Sequence, residues 1–161
     1  MQSVQEFEQA SVHRAIVEQA PEAIILSDRS GMIRIWNHGA ETVFGWAAAE
    51  VLGLSLDVII PERLRRAHWD GYRRAMDSGA TKHGGRVLAT RSMHKNGSKL
   101  YVDLSFAVVK DPSGAVIGAL AVGRDVTARY LAENELRAQI RALEEKLAAA
   151  PKQPDAPVDA G

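Results

Sequence analysis

Cysteine is absent from all 161 residues of the chain. Without a thiol, the protein has no disulfide bond, no thiolate–zinc site, no cysteine nucleophile and no thioether-attached haem. Photochemistry that proceeds through a cysteine adduct is excluded for the same reason, as is a hydroxycinnamate held as a thioester. These exclusions are firm because no fold can supply the missing sulfur.

Long apolar runs and a surplus of one charge sign are missing too. No apolar stretch approaches the ~20 residues that a membrane span needs, and the polar start "MQSVQEFEQASVHRAIVEQA" is unlike a secretory signal. Lysine plus arginine and aspartate plus glutamate each number 20, so the formal net charge is zero. We therefore expect a cytoplasmic protein that associates with neither membranes nor nucleic acid.

Signatures of common enzyme classes are also absent. The sequence contains no phosphate-binding loop, no HExxH and no GxSxG. Its composition is that of an ordinary folded domain, with 46% hydrophobic and 25% charged residues. We therefore expect a globular protein that is not an enzyme.

Hydrophobic patterning predicts an α+β domain. "AIILSDRSGMIRIW" combines a short apolar run, a turn sequence and an alternating run, which predicts a β-hairpin at residues 23–36. In the second half, three runs separated by "KNG" and "DPSG" predict an antiparallel meander. Helical segments lie between the hairpin and the meander. We therefore expect a five-stranded antiparallel sheet with short helices on one face.

The same patterning divides the chain into four segments. Residues 1–20 are predicted to form an N-terminal flanking helix, 21–127 the α+β domain, and 128–150 a C-terminal helix. The Pro-rich tail at 151–161 is predicted to be disordered. The C-terminal helix carries apolar residues at the spacing of a coiled-coil seam: Leu136, Ile140, Leu143 and Leu147.

One histidine lies on the apolar face of the helix predicted at residues 62–77. The residues that share this face at three- and four-residue spacing are Leu64, His68, Tyr72, Ala75 and Met76. An imidazole without a partner in an apolar layer costs about 1–3 kcal/mol, so His68 needs a partner. Spacing alone leaves two interpretations open: a buried histidine bonded to a backbone carbonyl, or a ligand of a metal such as haem iron.

Two stretches of the chain resemble the PAS domain family. "PEAIILSDRSGMIRIWNHGAETVFGWAAAEVLGLSL" is similar to the first half of a PAS domain, and "HKNGSKLYVDLSFAVVKDPSGAVIGALAVGRDVTAR" is similar to the second half. The resemblance implies the PAS fold, with residues 21–127 as the sensor domain. It also implies a homodimer that forms through the N- and C-terminal helices.

The helix sequence "PERLRRAHWDGY" resembles haem-binding PAS gas sensors of the FixL-like and RcoM-like kinds. This resemblance implies that His68 is an axial ligand of haem b, and that the protein senses a diatomic gas (CO, O₂ or NO) or a redox state. Leu88 stands where oxygen-sensing members carry an arginine, which counts against oxygen. Met93 is a candidate sixth ligand of the iron. The other cofactor-binding residues that the resemblance implies are Leu64, Tyr72, Leu88, Leu104, Phe106 and Ala121.

Other functions remain open from the sequence, because one fold serves many cofactors. The cleft could be filled by side chains, which would make the domain a cofactor-free dimerisation or protein-interaction module. It could instead bind a flavin or a small metabolite. In each case we expect either an output protein that is bound in trans or an output domain that lies outside this sequence.

Overall fold

The structure is a computed structural model that describes residues 4–82 and 84–150, with side chains from residue 8 onward. The tail at 151–161, predicted to be disordered, lies outside the described residues. The chain divides into two units, one ending at Thr127 and the other beginning at Ala128. The elements are α1 (Val4–Gln19), β1 (Ala23–Asp28), β2 (Ile33–Trp36), α2 (His38–Phe44), α3 (Ala48–Val51), a 3₁₀ turn (Leu56–Val58), α4 (Glu62–Ser78), β3 (Leu88–Met93), β4 (Lys99–Lys110), β5 (Val116–Asp125) and α5 (Thr127–Ala149).

The five strands form one antiparallel sheet in the order β2-β1-β5-β4-β3. The first and last strands, β1 and β5, pair at its centre, with Ala23 opposite Gly123. Strand β4 pairs with the other side of β5 and sets Phe106 opposite Ala121. The predicted hairpin, meander and five-stranded α+β architecture are therefore confirmed.

The core lies between the sheet and the helices α2 to α4. Along β4, Leu100, Val102 and Leu104 are buried while the residues between them are partly exposed, because a pleated strand turns successive side chains to opposite faces. Phe44 of α2 and Val51 of α3 are fully buried against this face. One face of the sheet thus carries the helices, as the alternating pattern predicts.

Asn37 connects the start of the domain to the sheet, and its side chain is fully buried. Its Oδ1 accepts hydrogen bonds from the amides of Ile24 and Ala40, and the second of these caps α2. Its Nδ2 donates to the carbonyls of Val17, Ala20 and Glu22. One side chain therefore joins the end of α1, strand β1 and helix α2.

Helix α4 carries His68 across the helix-covered face of the sheet. The helix follows Pro61 and ends at Ser78, and the next residue, Gly79, has a φ of 68°, the left-handed conformation that glycine adopts easily after a helix end. Tyr72 and Met76 are buried on its inner face, and its arginines lie at least partly in solvent. The amphipathic helix that the sequence predicts is confirmed.

Helix α5 is the described part of the second unit from Ala128 onward. It has no buried residue among those described. Its exposed apolar side chains include Leu131 and the four residues of the predicted seam, Leu136, Ile140, Leu143 and Leu147. Of the helices that the structure describes, none is both long and apolar enough to cross a bilayer.

Candidate functional site

A cavity of about 1060 Å³ lies between α4 and the strands β4 and β5. This volume is comparable to the upper end of small-molecule sites, about 300–1,000 Å³. The lining from the body of α4 and from the two strands is mostly apolar: Ala67, His68, Gly71, Tyr72, Ala75, Phe106, Ala107, Val108 and Ala119. A ligand held here would contact the helix and the sheet together.

The remaining lining residues come from the end of α4 and the segment after it, and most of them are polar. They are Arg74, Asp77, Ser78, Ala80, Thr81 and Lys82. This group carries two positive charges and one negative charge at neutral pH. The cavity therefore has an apolar body and a polar, slightly cationic part, which suits an amphiphilic ligand.

His68 brings an imidazole to the apolar part of the cavity. Its Nδ1 is buried and has no hydrogen-bond partner. Burial lowers the pKa of His68 below its ordinary value, and the nearby Asp57 carboxylate raises it again in part. The ring is therefore neutral at pH 7, and a neutral imidazole can bind a metal through a nitrogen lone pair.

Two aromatic neighbours hold the imidazole in place. Trp69 meets it edge-on with ring centroids 4.8 Å apart, and the Tyr72 ring lies 5.9 Å away. The Trp69 indole donates from Nε1 to Oδ1 of Asp57 at 2.9 Å. It also covers Gly31, where a Cβ would come within 2.2 Å of the ring. The position of His68 is therefore set by contacts between α4 and the turn that joins β1 to β2.

Tyr72 makes the second connection to that turn. Its hydroxyl donates to the carbonyl of Asp28, which ends β1. Burial raises the pKa of Tyr72, so the phenol keeps its proton and remains a donor at physiological pH. The helix is thus attached to the sheet next to the cavity by a partly buried hydrogen bond.

Three of the predicted cofactor-binding residues line the cavity: His68, Tyr72 and Phe106. Leu104 and Ala121 lie beside it but are not among the lining residues. Leu104 is only 4% exposed and packs in the core, and Ala121 is paired with Phe106. Phe106 and Val108 line the cavity together with α4, whereas Leu104 lies earlier in β4 and falls outside it.

The other predicted positions lie outside the cavity lining. Leu64 is near the start of α4 and does not line the cavity. Leu88 begins the edge strand β3 and pairs with Leu104. Met93 ends the same strand, its amide bonded to the carbonyl of Ile59 at 3.0 Å, and it too is absent from the lining. None of these three residues lines the cavity, although Leu64 lies one helical turn before His68.

Several residues at the site are not among the predicted cofactor-binding residues. Gly71 follows His68 by three positions, so its place on the same helix face could have been recognised from spacing. Ala119 reaches the cavity because it pairs with Val108 across β4 and β5, and that register is a tertiary property. Asp57 acts on His68 from a segment outside α4, and no local pattern indicates it.

The potential metal ligands at this cavity limit which kinds of metal site it can form. In the part of the chain that the structure describes, no group of three or more His, Cys, Asp or Glu residues could hold a metal ion. A metal here must therefore arrive inside a cofactor that supplies most of its ligands. Haem meets this requirement, since the porphyrin provides four nitrogens and the protein adds an axial ligand. One neutral, unpartnered imidazole in an apolar cavity fits that need.

A single antiparallel sheet, helices packed on one face and a cavity between them define an α+β domain of the sensory kind. The chain belongs to the PAS fold family, whose model matches residues 13–126. The predicted family is therefore confirmed, and the chain contains a PAS sensory domain.

Two curated relatives are sensor proteins. The oxygen sensor protein DosP of Escherichia coli K12 is 27% identical over 128 residues, which cover 80% of this chain and 16% of DosP. The sensor protein FixL of Bradyrhizobium diazoefficiens is 36% identical over 59 residues, which cover 37% of this chain and 12% of FixL. The chain thus spans less than a fifth of either relative.

Solved structures agree in fold. The PAS domain of a Colwellia psychrerythraea protein superposes with a TM-score of 0.64 at 20% identity, covering 74% of this chain and 98% of that domain. An RNA-binding light-oxygen-voltage receptor has the same TM-score at 22% identity, covering 92% of this chain and 41% of the receptor. At such identities the likeness concerns the fold alone.

Proposed function

We propose that this PAS domain binds haem b through His68 and senses a diatomic gas. The observation that carries the proposal is the His68 imidazole, which lines a mostly apolar cavity of about 1060 Å³ with its Nδ1 buried and without a hydrogen-bond partner. A buried polar group without a partner is uncommon, so this imidazole lacks the hydrogen bond that a purely structural histidine would make. The name of one relative, an oxygen sensor, supports the same class of function.

The cavity walls match a flat, amphiphilic cofactor. Phe106, Val108 and Ala119 offer an apolar surface on the sheet side. Arg74 and Lys82 add positive charge in the polar part, where an anionic group of the cofactor would be neutralised. Haem, when bound, supplies an iron that binds small diatomic molecules. His68 would hold that iron from α4, and the side chains of the sheet would give the cofactor an apolar surface to contact.

The lining also bears on which gas is bound. The side chains that β4 and β5 turn toward the cavity are those of Phe106, Val108 and Ala119, none of which has a hydrogen-bond donor. A wall of this kind favours a gas of low polarity that needs no hydrogen bond. We therefore favour carbon monoxide as the signal over oxygen.

A path for the signal leads from the cavity along β5. This strand carries Ala119 at the cavity and ends at Asp125. Beyond it, the amide of Thr127 donates to Oδ1 of Asp125 at 2.8 Å, and Oγ1 of Thr127 accepts from the amide of Tyr101 at 2.9 Å. A shift of β5 on ligand binding would therefore displace Thr127, the first residue of α5.

We further propose that the chain acts as a homodimeric sensor and not as an enzyme. PAS domains commonly dimerise, and α1 and α5 both present exposed apolar residues that a second copy would cover, among them Val12, Ile16, Leu136, Ile140 and Leu143. The output would be read by a protein bound in trans or by a domain joined to the chain. Both the second copy and the output partner would bind through these two flanking helices.

Hemin titration of the purified protein tests the proposed function. We expect a sharp Soret band with the wild-type protein, its loss or broadening in His68→Ala, and its retention in His38→Ala, since His38 is largely exposed. Reduction under carbon monoxide should then shift the band. A protein that stays colourless and does not bind hemin would favour the cofactor-free module. A yellow protein with flavin absorption bands would favour a flavin site.

A further inference from the structure

Gly71 is an exception among the glycines that the structure describes. Eight of the described glycines have a positive φ, which other residues rarely adopt. Three more, at positions 39, 118 and 123, lie so close to another backbone that a Cβ would come within about 2 Å of it. Gly71 has neither property. A Cβ at this position would meet nothing nearer than Nη2 of Arg74, at 3.9 Å.

This glycine lies where it weakens the helix. Gly71 is an interior residue of α4, nine residues after its first residue, Glu62. In the interior of a helix, glycine is less favourable than alanine because its backbone loses more conformational freedom on folding. Alanine would fit here without a steric conflict, so neither backbone geometry nor packing within the protein explains the glycine.

The cavity provides the explanation. Gly71 lines the cavity three residues after His68, so both lie on the face of α4 that meets the ligand space. A side chain at this position would project into that space, whereas its absence exposes the helix backbone. Glycine in such a place allows a close approach between backbone and ligand.

We propose that the missing side chain at Gly71 determines which ligands the cavity accepts, because it lets a planar macrocycle lie against the backbone of α4 beside His68. This inference rests on the proposed function, since it assumes a flat cofactor. Gly71 is then a specificity-determining residue that coordinates no metal. It affects binding only because the absent side chain leaves space for the ligand.

The test compares Gly71→Ala and Gly71→Leu with the wild-type full chain. Arg66→Leu is the matched control, because Arg66 is exposed on α4 and does not line the cavity. Two probes are titrated: hemin, and protoporphyrin IX, which has the same flat body but no iron for His68 to bind. Thermal unfolding without ligand is recorded for each variant.

We expect Gly71→Ala to raise the melting temperature of the ligand-free protein by about 3 °C. We expect Gly71→Leu to weaken the binding of both probes by at least about tenfold, since added volume in a filled site costs roughly that much. Gly71→Ala should show a smaller loss, and the Arg66→Leu control should bind both probes like the wild-type protein.

Two results would overturn this inference but not the proposed function. One is unchanged binding of both probes by Gly71→Leu. The other is a lower melting temperature in Gly71→Ala, which would show that packing requires the glycine. A third result separates the two proposals: protoporphyrin IX binds the wild-type protein but not Gly71→Leu, and the hemin spectrum is unchanged by His68→Ala. The inference then stands and the proposed function fails. If the wild-type protein binds neither probe, both are wrong.

Discussion

The hydroxyl of Tyr72 in α4 lies 2.8 Å from Oγ of Ser27 in β1, and both groups are buried. The Tyr72 hydroxyl also donates to the carbonyl of Asp28, so the Ser27 hydroxyl is the donor in the pair. These two bonds connect the helix that carries His68 to the central part of the sheet.

Replacing Tyr72 with phenylalanine removes that connection while it keeps the ring. We expect a loss of about 1–3 kcal/mol in the free energy of unfolding, because the buried Ser27 hydroxyl loses its acceptor. Urea unfolding measures the loss. In a double-mutant cycle with Ser27→Ala, the combined loss should be smaller than the sum of the two single losses. Strict additivity would contradict the bond between these hydroxyls.

Asp57→Asn should lower the pKa of His68 further. The Asp57 carboxylate favours the charged imidazole, and asparagine removes that charge. The side-chain oxygen of asparagine can still accept the Trp69 indole hydrogen, so the packing around His68 is retained. NMR titration of the histidine ring protons measures the change. Asp70→Asn, which removes an exposed carboxylate, is the control, and an equal shift in both variants would contradict the prediction.

His68→Leu should reduce the acid sensitivity of the ligand-free protein. Because burial lowers the pKa of His68 in the folded state, the unfolded chain binds more protons than the native protein below pH 6.5. Stability therefore falls as the pH drops from 6.5 to the lowered pKa. Leucine cannot contribute to this fall. Urea midpoints at pH 7 and pH 5 should differ less in the variant, and equal differences in both proteins would refute the idea.

Asn37→Ala should be among the most destabilising single changes in the chain. It removes five hydrogen bonds to backbone groups around a fully buried side chain. We expect a loss of about 3–4 kcal/mol, since buried amides and carbonyls are left unpaired. Asn96→Ala, which removes one exposed contact, should cost under about 1 kcal/mol. Similar losses in the two variants would show that Asn37 is not a central connection.

Leu143→Asp should weaken self-association through α5. Leu143 is exposed at the centre of the predicted seam, and a carboxylate there would be buried without a partner in a paired helix. Sedimentation velocity over a range of concentrations measures the dissociation. Ala142→Asp places the same charge one residue outside the seam and should leave the oligomer intact. A wild-type chain that stays monomeric at all concentrations would contradict the dimer itself.

The sequence alone determined the architecture because its signals are local. Alternating runs, "KNG" and "DPSG" specify strands and turns, and the three- and four-residue spacing along α4 puts His68 on the inner face. The absence of cysteine removed whole classes of chemistry, and no tertiary arrangement can restore them. These statements depend on residue type and on separations of a few residues.

Tertiary structure decided which residues meet at the cavity. Phe106 lines it and Leu104 does not, although both face inward on β4, because the crossing point of α4 selects one part of the strand. Ala119 comes to the cavity through its pairing with Val108, and Asp57 acts on His68 from another segment. Strand register and helix crossing depend on contacts far apart in the chain, so no short stretch of residues encodes them.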